Sequence, residues 1–178
     1  SGQKVSFLDD FNATVLTFSA VTGSSDSATL VLDNETASTD TDIASIDVQN
    51  VETLTITSNG NSADTSTTAQ NLIDSLTGDA TTITVGGDTS IDLDLAIDNP
   101  SSGTRTVTVD ASSNTKFVAI EAADDGSTTV VVNYAITGTD GADTLILNSS
   151  DGGSLIGGAG NDTLTGGAGN DTISGGDG

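Results

Sequence analysis

Apolar and small polar residues alternate along most of the middle of the chain, in short runs broken by clusters of Asp, Asn, Gly and Ser. A period of two bounded by turn residues is the pattern of half-buried strands. The clearest runs are TLVL (29–32), ETLTITS (52–58), TTITV (81–85), SIDLDLAI (90–97), TVTVD (106–110), KFVAI (116–120) and TTVVVNYAI (128–136). Each puts its aliphatic side chains on one face, as Leu54 with Ile56, or Ile91 with Leu93, Leu95 and Ile97.

One segment departs from this period. In TTAQNLIDSLTG (67–78) a threonine suits a cap, Leu72, Ile73 and Leu76 share a helical face, and Gly78 suits a terminus. A short helix is predicted there, lying across the end or side of the strand stack. Pro100, the only proline, marks a turn. Asp92 and Asp94 alternate with the aliphatic residues of their strand and so point away from the core, as a solvated face or as a surface calcium site. The turns GGDTSID (86–92), NGNSAD (59–64) and AADDGS (122–127) carry residue types that suit hard cations and ordinary turns alike.

Composition narrows what such strands can build. The hydrophobic share is 34% and aromatics make up 3%, so a core must come from Val, Ile, Leu, Ala and Thr. Thin layers of small and β-branched side chains suit that supply better than a broad globular core, and 178 residues suffice for one domain or one elongated array.

The charge excludes partners. Twenty-six acidic residues against three basic ones give a formal net charge of −23, which repels nucleic acid and anionic membrane surfaces. Twenty-three of the acids are Asp and three are Glu. A short carboxylate fits tight turns and hard-cation sites beside backbone carbonyls, so the skew favours metal-binding turns. With no His and no Cys, the His-based triads, Cys nucleophiles, zinc sites and disulfides are excluded. A Ser-Lys arrangement with Lys4 or Lys116 lacks a nucleophile motif, and no enzymatic role is expected. No apolar run approaches the ~18 residues of a membrane span, and residues 1–21 lack a basic region followed by a hydrophobic one. A soluble chain without a cleaved N-terminal export signal is expected.

The last forty residues repeat. Written as G-G-x-G-x-D-x-U-x, with U a large aliphatic, the unit occurs as GGAGNDTLT (157–165) and GGAGNDTIS (166–174), followed by GGDG (175–178). Upstream, GTDGADTLI (138–146) keeps Gly138, Gly141, Asp143 and Leu145 at the constrained places, while LNSSDGGSLI (147–156) keeps Leu155 but loses the Asp. Glycines let the first six residues turn with carbonyls facing inward, and the last three form a short strand whose aliphatic rung enters the core. Leu145, Leu155, Leu164 and Ile173 are those rungs.

If two units make one coil of a right-handed parallel solenoid, every second turn stacks on the same edge at roughly 4.8 Å. That is twice the calcium–oxygen distance of about 2.4 Å, so one ion fits between successive turns, held by aspartates and carbonyls of both. Without it, the carboxylates repel by a few kcal/mol at an effective dielectric near ~20. The candidate ligands are Asp140 and Asp143 in the first unit and Gly158, Ala159, Gly160, Asn161 and Asp162 in the next full one. Gly167, Ala168, Gly169, Asn170 and Asp171 follow, with Asp177 in the final fragment. Asp143 and Asp162, nineteen residues apart, are expected to share the best-formed calcium site; Asp171, whose like-edge partner falls near Gly153 with Asp151 displaced, a weaker one; and the site joining 157–162 with 175–178 lacks its final carboxylate.

These nonapeptides resemble the RTX calcium-binding repeats of secreted bacterial proteins, over 138–178. NVETLTITSNG (50–60) followed by TTITVGGDTSIDLDL (81–95) resembles, in texture rather than strict motif, the Thr-, Ala- and Asp-rich β-solenoid segments of RTX-containing surface-layer proteins. The resemblance implies type I secretion on an uncleaved C-terminal signal lying outside this chain, with folding in calcium outside the cell. The expected fold is an all-β parallel β-solenoid (1–137) leading into an RTX calcium β-roll (138–178), with one short inserted helix. The array's stop four residues into a unit is expected of a piece of a longer protein. The expected function is that of a structural, calcium-dependent surface-layer component that self-associates, with contact to cell-surface polysaccharide through regions outside this chain. The alternative is a calcium-folded RTX module of a secreted enzyme, adhesin or toxin.

Overall fold

The computed structural model describes residues 3–8, 12–13, 16–18, 25–33, 41–60, 71–97, 103–124 and 130–178. The turn at Pro100, residues 61–64 and 125–127 of two candidate turns, and the first four residues of the predicted helix lie outside them. The described residues hold strands and no helix.

Among the described residues seventeen strands form two parallel sheets that the chain visits in alternation. The first sheet contains, in spatial order, β1 (Gln3–Leu8), β4 (Ser27–Asp33), β7 (Thr53–Asn59), β9 (Thr82–Gly87), β11 (Gly103–Asn114), β13 (Val130–Thr137), β15 (Ser154–Ala159) and β17 (Thr172–Asp177). The second runs from β16 (Thr163–Thr165) through β14 (Thr144–Asn148), β12 (Val118–Ala123), β10 (Ile91–Ile97) and β8 (Asn71–Gly78) to β5 (Thr41–Ile43) and β2 (Asn12–Ala13). β6 (Ile46–Val48) pairs with both β8 and β3 (Leu16–Phe18). Each of the seven predicted runs lies within or across a strand, from β4 to β13. The architecture is a parallel β-solenoid.

Its core is built of stacked columns of aliphatic rungs, of which two run through most of the described coils. In the first sheet Ala28, Leu54, Ile83, Val109, Ile136, Leu155 and Ile173 stand in register, one above another. In the second the column is Ile43, Ile73, Leu93, Ile120, Leu145 and Leu164. Burying one such side chain contributes roughly 1.5–3 kcal/mol, so each coil adds its own share to a continuous core. Leu145 and Leu155 are fully buried, Leu164 partly, and Ile173 is 48% exposed at the end of its column. Coils shorten towards that end: Ile136 follows Val109 by 27 residues, but Leu155 follows Ile136 by 19 and Ile173 follows Leu155 by 18, the length of two nonapeptides.

The predicted helix is a correction. Residues 71–78 form β8, in which Ile73 and Leu76 are buried while Leu72 is half-buried. The three-residue step from Ile73 to Leu76 is spanned by only two residues, Leu93 to Leu95, on β10, which is a β-bulge. The opposite neighbour makes the same step, with Ile43 on Ile73 and Ile46 on Leu76. An i, i+3 apolar spacing therefore stacks inward without a helix, because a neighbouring coil carries the same irregularity. Gly78, read as a helix terminus, has φ +123°, and a Cβ there would collide with the Val48 backbone.

Tyr134 sits in the core and ties three strands: its hydroxyl donates to the Ala123 carbonyl at 3.0 Å and accepts the Ile97 N–H at 3.3 Å. Burial pushes its phenol up to about 12.

Candidate metal centre

The edge that follows the first sheet carries stacked turns. Upstream, side chains tie it: buried Asn71 Nδ2 donates to Ser58 Oγ at 2.8 Å, and Asn114 Nδ2 donates to the Thr89 carbonyl at 3.0 Å. Further along, the turn 138–143 between β13 and β14 lies beneath residues 157–162, which lead from the end of β15 to β16, with 175–178 above that. The opposite edge stacks residues 148–153 beneath 166–171.

Glycine permits this close stacking. Gly158 and Gly160 have φ of +121° and +106°, and a Cβ on either would run into the carbonyl oxygens of Thr139 and Gly141 in the coil below. Gly167 sits likewise on Ser149, and Gly169 on Asp151. These contacts align residues 148–156 as the degenerate nonapeptide and leave Leu147, 2% exposed, as the one additional residue.

The aspartate at position six of the other units, and Asp151 at position four of the degenerate one, bond back to the coil below. Asp143 N–H donates to Asp162 Oδ1 at 3.0 Å, and Gly153 N–H donates to Asp171 Oδ1 at 2.9 Å. Val118 N–H donates to Asp143 Oδ1 at 2.7 Å, and Asp151 Oδ2 accepts the Val132 N–H at 2.8 Å. One carboxylate oxygen of each unit thus serves the stack, and what becomes of the other distinguishes the units.

For Asp143 the second oxygen is fully engaged. Thr139 N–H donates to Oδ2 at 2.6 Å, and the Thr139 hydroxyl lies 2.9 and 3.1 Å from Oδ1 and Oδ2. Asp143 is 1% exposed. Its carboxyl is raised above the ordinary carboxylate range by burial and, less, by Asp162, against hydrogen bonds from Thr139 and Val118 that favour the charged form.

For Asp162 the second oxygen has no partner. Oδ2 is buried and accepts no hydrogen bond. It stands beside Gly157, with the Gly175 carbonyl oxygen of the next coil on the same spot, 2.5 Å from where a Cβ of Gly157 would lie. A cleft of about 210 Å³ lined by Gly160, Asn161, Asp162, Gly175, Gly176 and Gly178 adjoins it. An orphaned carboxylate oxygen among inward carbonyls is the donor set of a hard cation such as calcium, and a buried anion left without one is costly. The residues present fit the ion.

The remaining predicted ligands take defined places. Ala159 ends β15, and its N–H donates to the Thr139 carbonyl at 3.2 Å. Asp140 and Asn161 are exposed in their turns. Ala168 and Asn170 lie in the opposite turn with Gly167 and Gly169, where the Ala168 N–H donates to the Ser149 carbonyl at 2.9 Å. Asp171 Oδ2 stands beside Gly166, and exposed Asp177 accepts the Gly160 N–H on its carbonyl at 2.9 Å. Among the described residues no three acidic side chains converge as a metal cluster, so a cation held here draws on carbonyl oxygens. Thr139 was not foreseen, although its place at position two, where the later units have Gly, was visible in the sequence.

The alternating acids form a separate patch. Asp94 stands in register with Glu121, which accepts from Asn148 Nδ2 at 3.1 Å, and with Asp74 these line a shallow hollow on the second sheet. Burial first, then the neighbouring carboxylates, raise both Asp92 and Asp94.

Residues 149–178 match the family model of the RTX calcium-binding nonapeptide repeat (4 copies). This segment is thus an RTX array that binds calcium, a module of secreted proteins, which points to an extracellular setting. The unit 138–146 precedes the matched span. No curated protein and no solved structure matches the chain.

Proposed function

We propose that this chain belongs to a structural protein of the bacterial cell surface, a surface-layer lattice component exported by type I secretion, with calcium completing its fold outside the cell. The observation that carries this reading is the continuity of the rung columns: they run from Ala28 to Ile173 and from Ile43 to Leu164 into the start of the RTX array. Calcium bound at the array therefore stiffens the end of one continuous rod, the shape a lattice or stalk requires. The outer face of the first sheet adds a regular array, with Ser27, Thr53, Thr82 and Thr108 in one rank and Thr29, Thr55 and Thr84 in the next. At a net charge of −23 such rods repel one another, and divalent cations offset that repulsion.

In this reading the chain performs no catalysis, binds neither nucleic acid nor membrane, and associates with copies of the same protein; polysaccharide contacts fall to regions outside it. The strands before residue 138 form the rod, and 138–178 continue it into the calcium-binding array. Extracellular calcium modules bind with dissociation constants of about 0.1–1 mM, so the sites fill outside the cell and stay empty in cytosol. Electron microscopy of the full-length protein with calcium and with chelator is the test. Ordered sheets only in calcium are expected; isolated monomers in both media would refute the lattice and favour an RTX module of a secreted enzyme, adhesin or toxin.

A further inference from the structure

Two coils of the array close their turns by different means. In the lower coil, position two carries a hydroxyl on each edge: Thr139 Oγ1 accepts the Gly141 N–H at 2.8 Å, and Ser149 Oγ accepts the Asp151 N–H at 3.0 Å. Each hydroxyl also meets a carboxylate. Thr139 bridges the two oxygens of Asp143, and Ser149 donates to Asp124 Oδ2 at 3.0 Å, which also accepts from the Ser150 N–H and hydroxyl at 2.8 Å each. In the upper coil the equivalent residues are Gly158 and Gly167, stacked on Thr139 and Ser149. They have no side chain to offer, and Asp162 Oδ2 is left buried without a partner.

The two slots on the first edge are otherwise alike. Asp143 Oδ2 faces the Gly157 carbonyl across Gly138, as Asp162 Oδ2 faces the Gly175 carbonyl across Gly157. We propose that Thr139 occupies, with its hydroxyl and amide, the place a calcium ion takes in the next slot, so that residues 138–156 fold without calcium and present a finished coil on which the calcium-dependent repeats assemble. The first ion on this edge then enters at Asp162, not at Asp143. A hydroxyl suffices where it can donate to the carboxylate and accept a turn amide at once; glycine leaves those groups to a cation. The inference depends on calcium binding by the repeats and not on the lattice.

Thr139→Gly tests it directly, because it converts residues 138–146 to GGDGADTLI, a complete G-G-x-G-x-D-x-U-x unit. Calcium per chain is counted by equilibrium dialysis and titration calorimetry. Thr139→Gly should bind one ion more than the natural chain, and adding Asp143→Asn should remove that ion again. Asp143→Asn alone should leave the natural count unchanged, while Asp162→Asn lowers it by one. An unchanged count in Thr139→Gly, a lower one in Asp143→Asn, or an unchanged one in Asp162→Asn overturns the proposal. Should the variants fold poorly, amide hydrogen exchange of the natural chain in chelator decides. The amides of Val118, Thr139 and Gly141 should stay protected while those of residues 158–178 exchange freely, and equally fast exchange in both coils overturns it.

Discussion

Asp162→Asn separates two roles of one carboxylate. Oδ1 accepts the Asp143 N–H at 3.0 Å, and an amide oxygen in the same place keeps that bond. The other atom changes from an unpartnered buried carboxylate oxygen to a neutral NH₂ beside the Gly175 carbonyl, to which it can donate. In chelator the variant should therefore be as stable as the natural chain or more so, since a buried anion has been removed. In calcium the sign reverses. Each bound ion contributes RT ln(1 + [Ca²⁺]/Kd), about 1.4–2.7 kcal/mol at ten- to hundred-fold saturation, and the variant should lose that amount. Asp162→Ala is the comparison: it leaves the Asp143 N–H without its acceptor, a cost of about 1–3 kcal/mol in either medium. Urea unfolding followed by far-ultraviolet circular dichroism, with calcium and with chelator, measures both differences in a chain that has no tryptophan. Equal losses by Asp162→Asn in the two media, or no loss in calcium, would refute the assignment of Oδ2 to the ion.

Three further outcomes follow from the fold. Ile73→Ala should cost about 2–5 kcal/mol, whereas Leu72→Ser, outward on β8, should cost under about 1 kcal/mol; equal costs by urea unfolding would restore the helix. Asp92→Asn and Asp94→Asn should each raise the melting temperature near neutral pH in chelator. Their folded carboxyls titrate above the unfolded value, so stability is full below the unfolded pKa and falls as pH rises through the folded one. The advantage of the amides should vanish at acidic pH, and an advantage that persists there would contradict the linkage. Tyr134, the only tyrosine, should ionise late, near about 12, in ultraviolet difference titration, with stability lost as pH passes from its unfolded value towards that point; Tyr134→Phe should cost about 1–2 kcal/mol in urea unfolding. A phenolate appearing near the ordinary value of about 10 in the folded protein would place the ring elsewhere.

Period-two alternation is enough to read β4, β7 and the strands from β9 to β13, because each presents one face to a core and one to solvent whatever its neighbours are. The nonapeptide, too, was legible alone: Gly at its constrained positions, Asp at six and an aliphatic at eight define turn, ligand and rung within nine residues. β5 and β6 were not read, since TDI and IDV are too short to show a period. The helix expected at 67–78 gives way to strand over residues 71–78 for a related reason. Three-residue spacing is helical only if the segment is alone, and Ile73 and Leu76 face the same core because Ile43 and Ile46, thirty residues earlier, carry the matching step.

Sequence alone determined the class of the protein: short two-faced strands, a core without bulk, strong acidity and a repeat built around one carboxylate in each complete unit. Only the tertiary structure shows which carboxylate oxygens are left without a hydrogen-bond partner. Asp143 and Asp162 occupy the same place in their units, and a pattern cannot rank them. The difference lies in the donors that stacking brings within reach, a threonine hydroxyl and amide for Asp143 and none for the second oxygen of Asp162. A carboxylate's demand for a metal is set by the hydrogen bonds it lacks after burial, and those are counted only when neighbouring coils are in place.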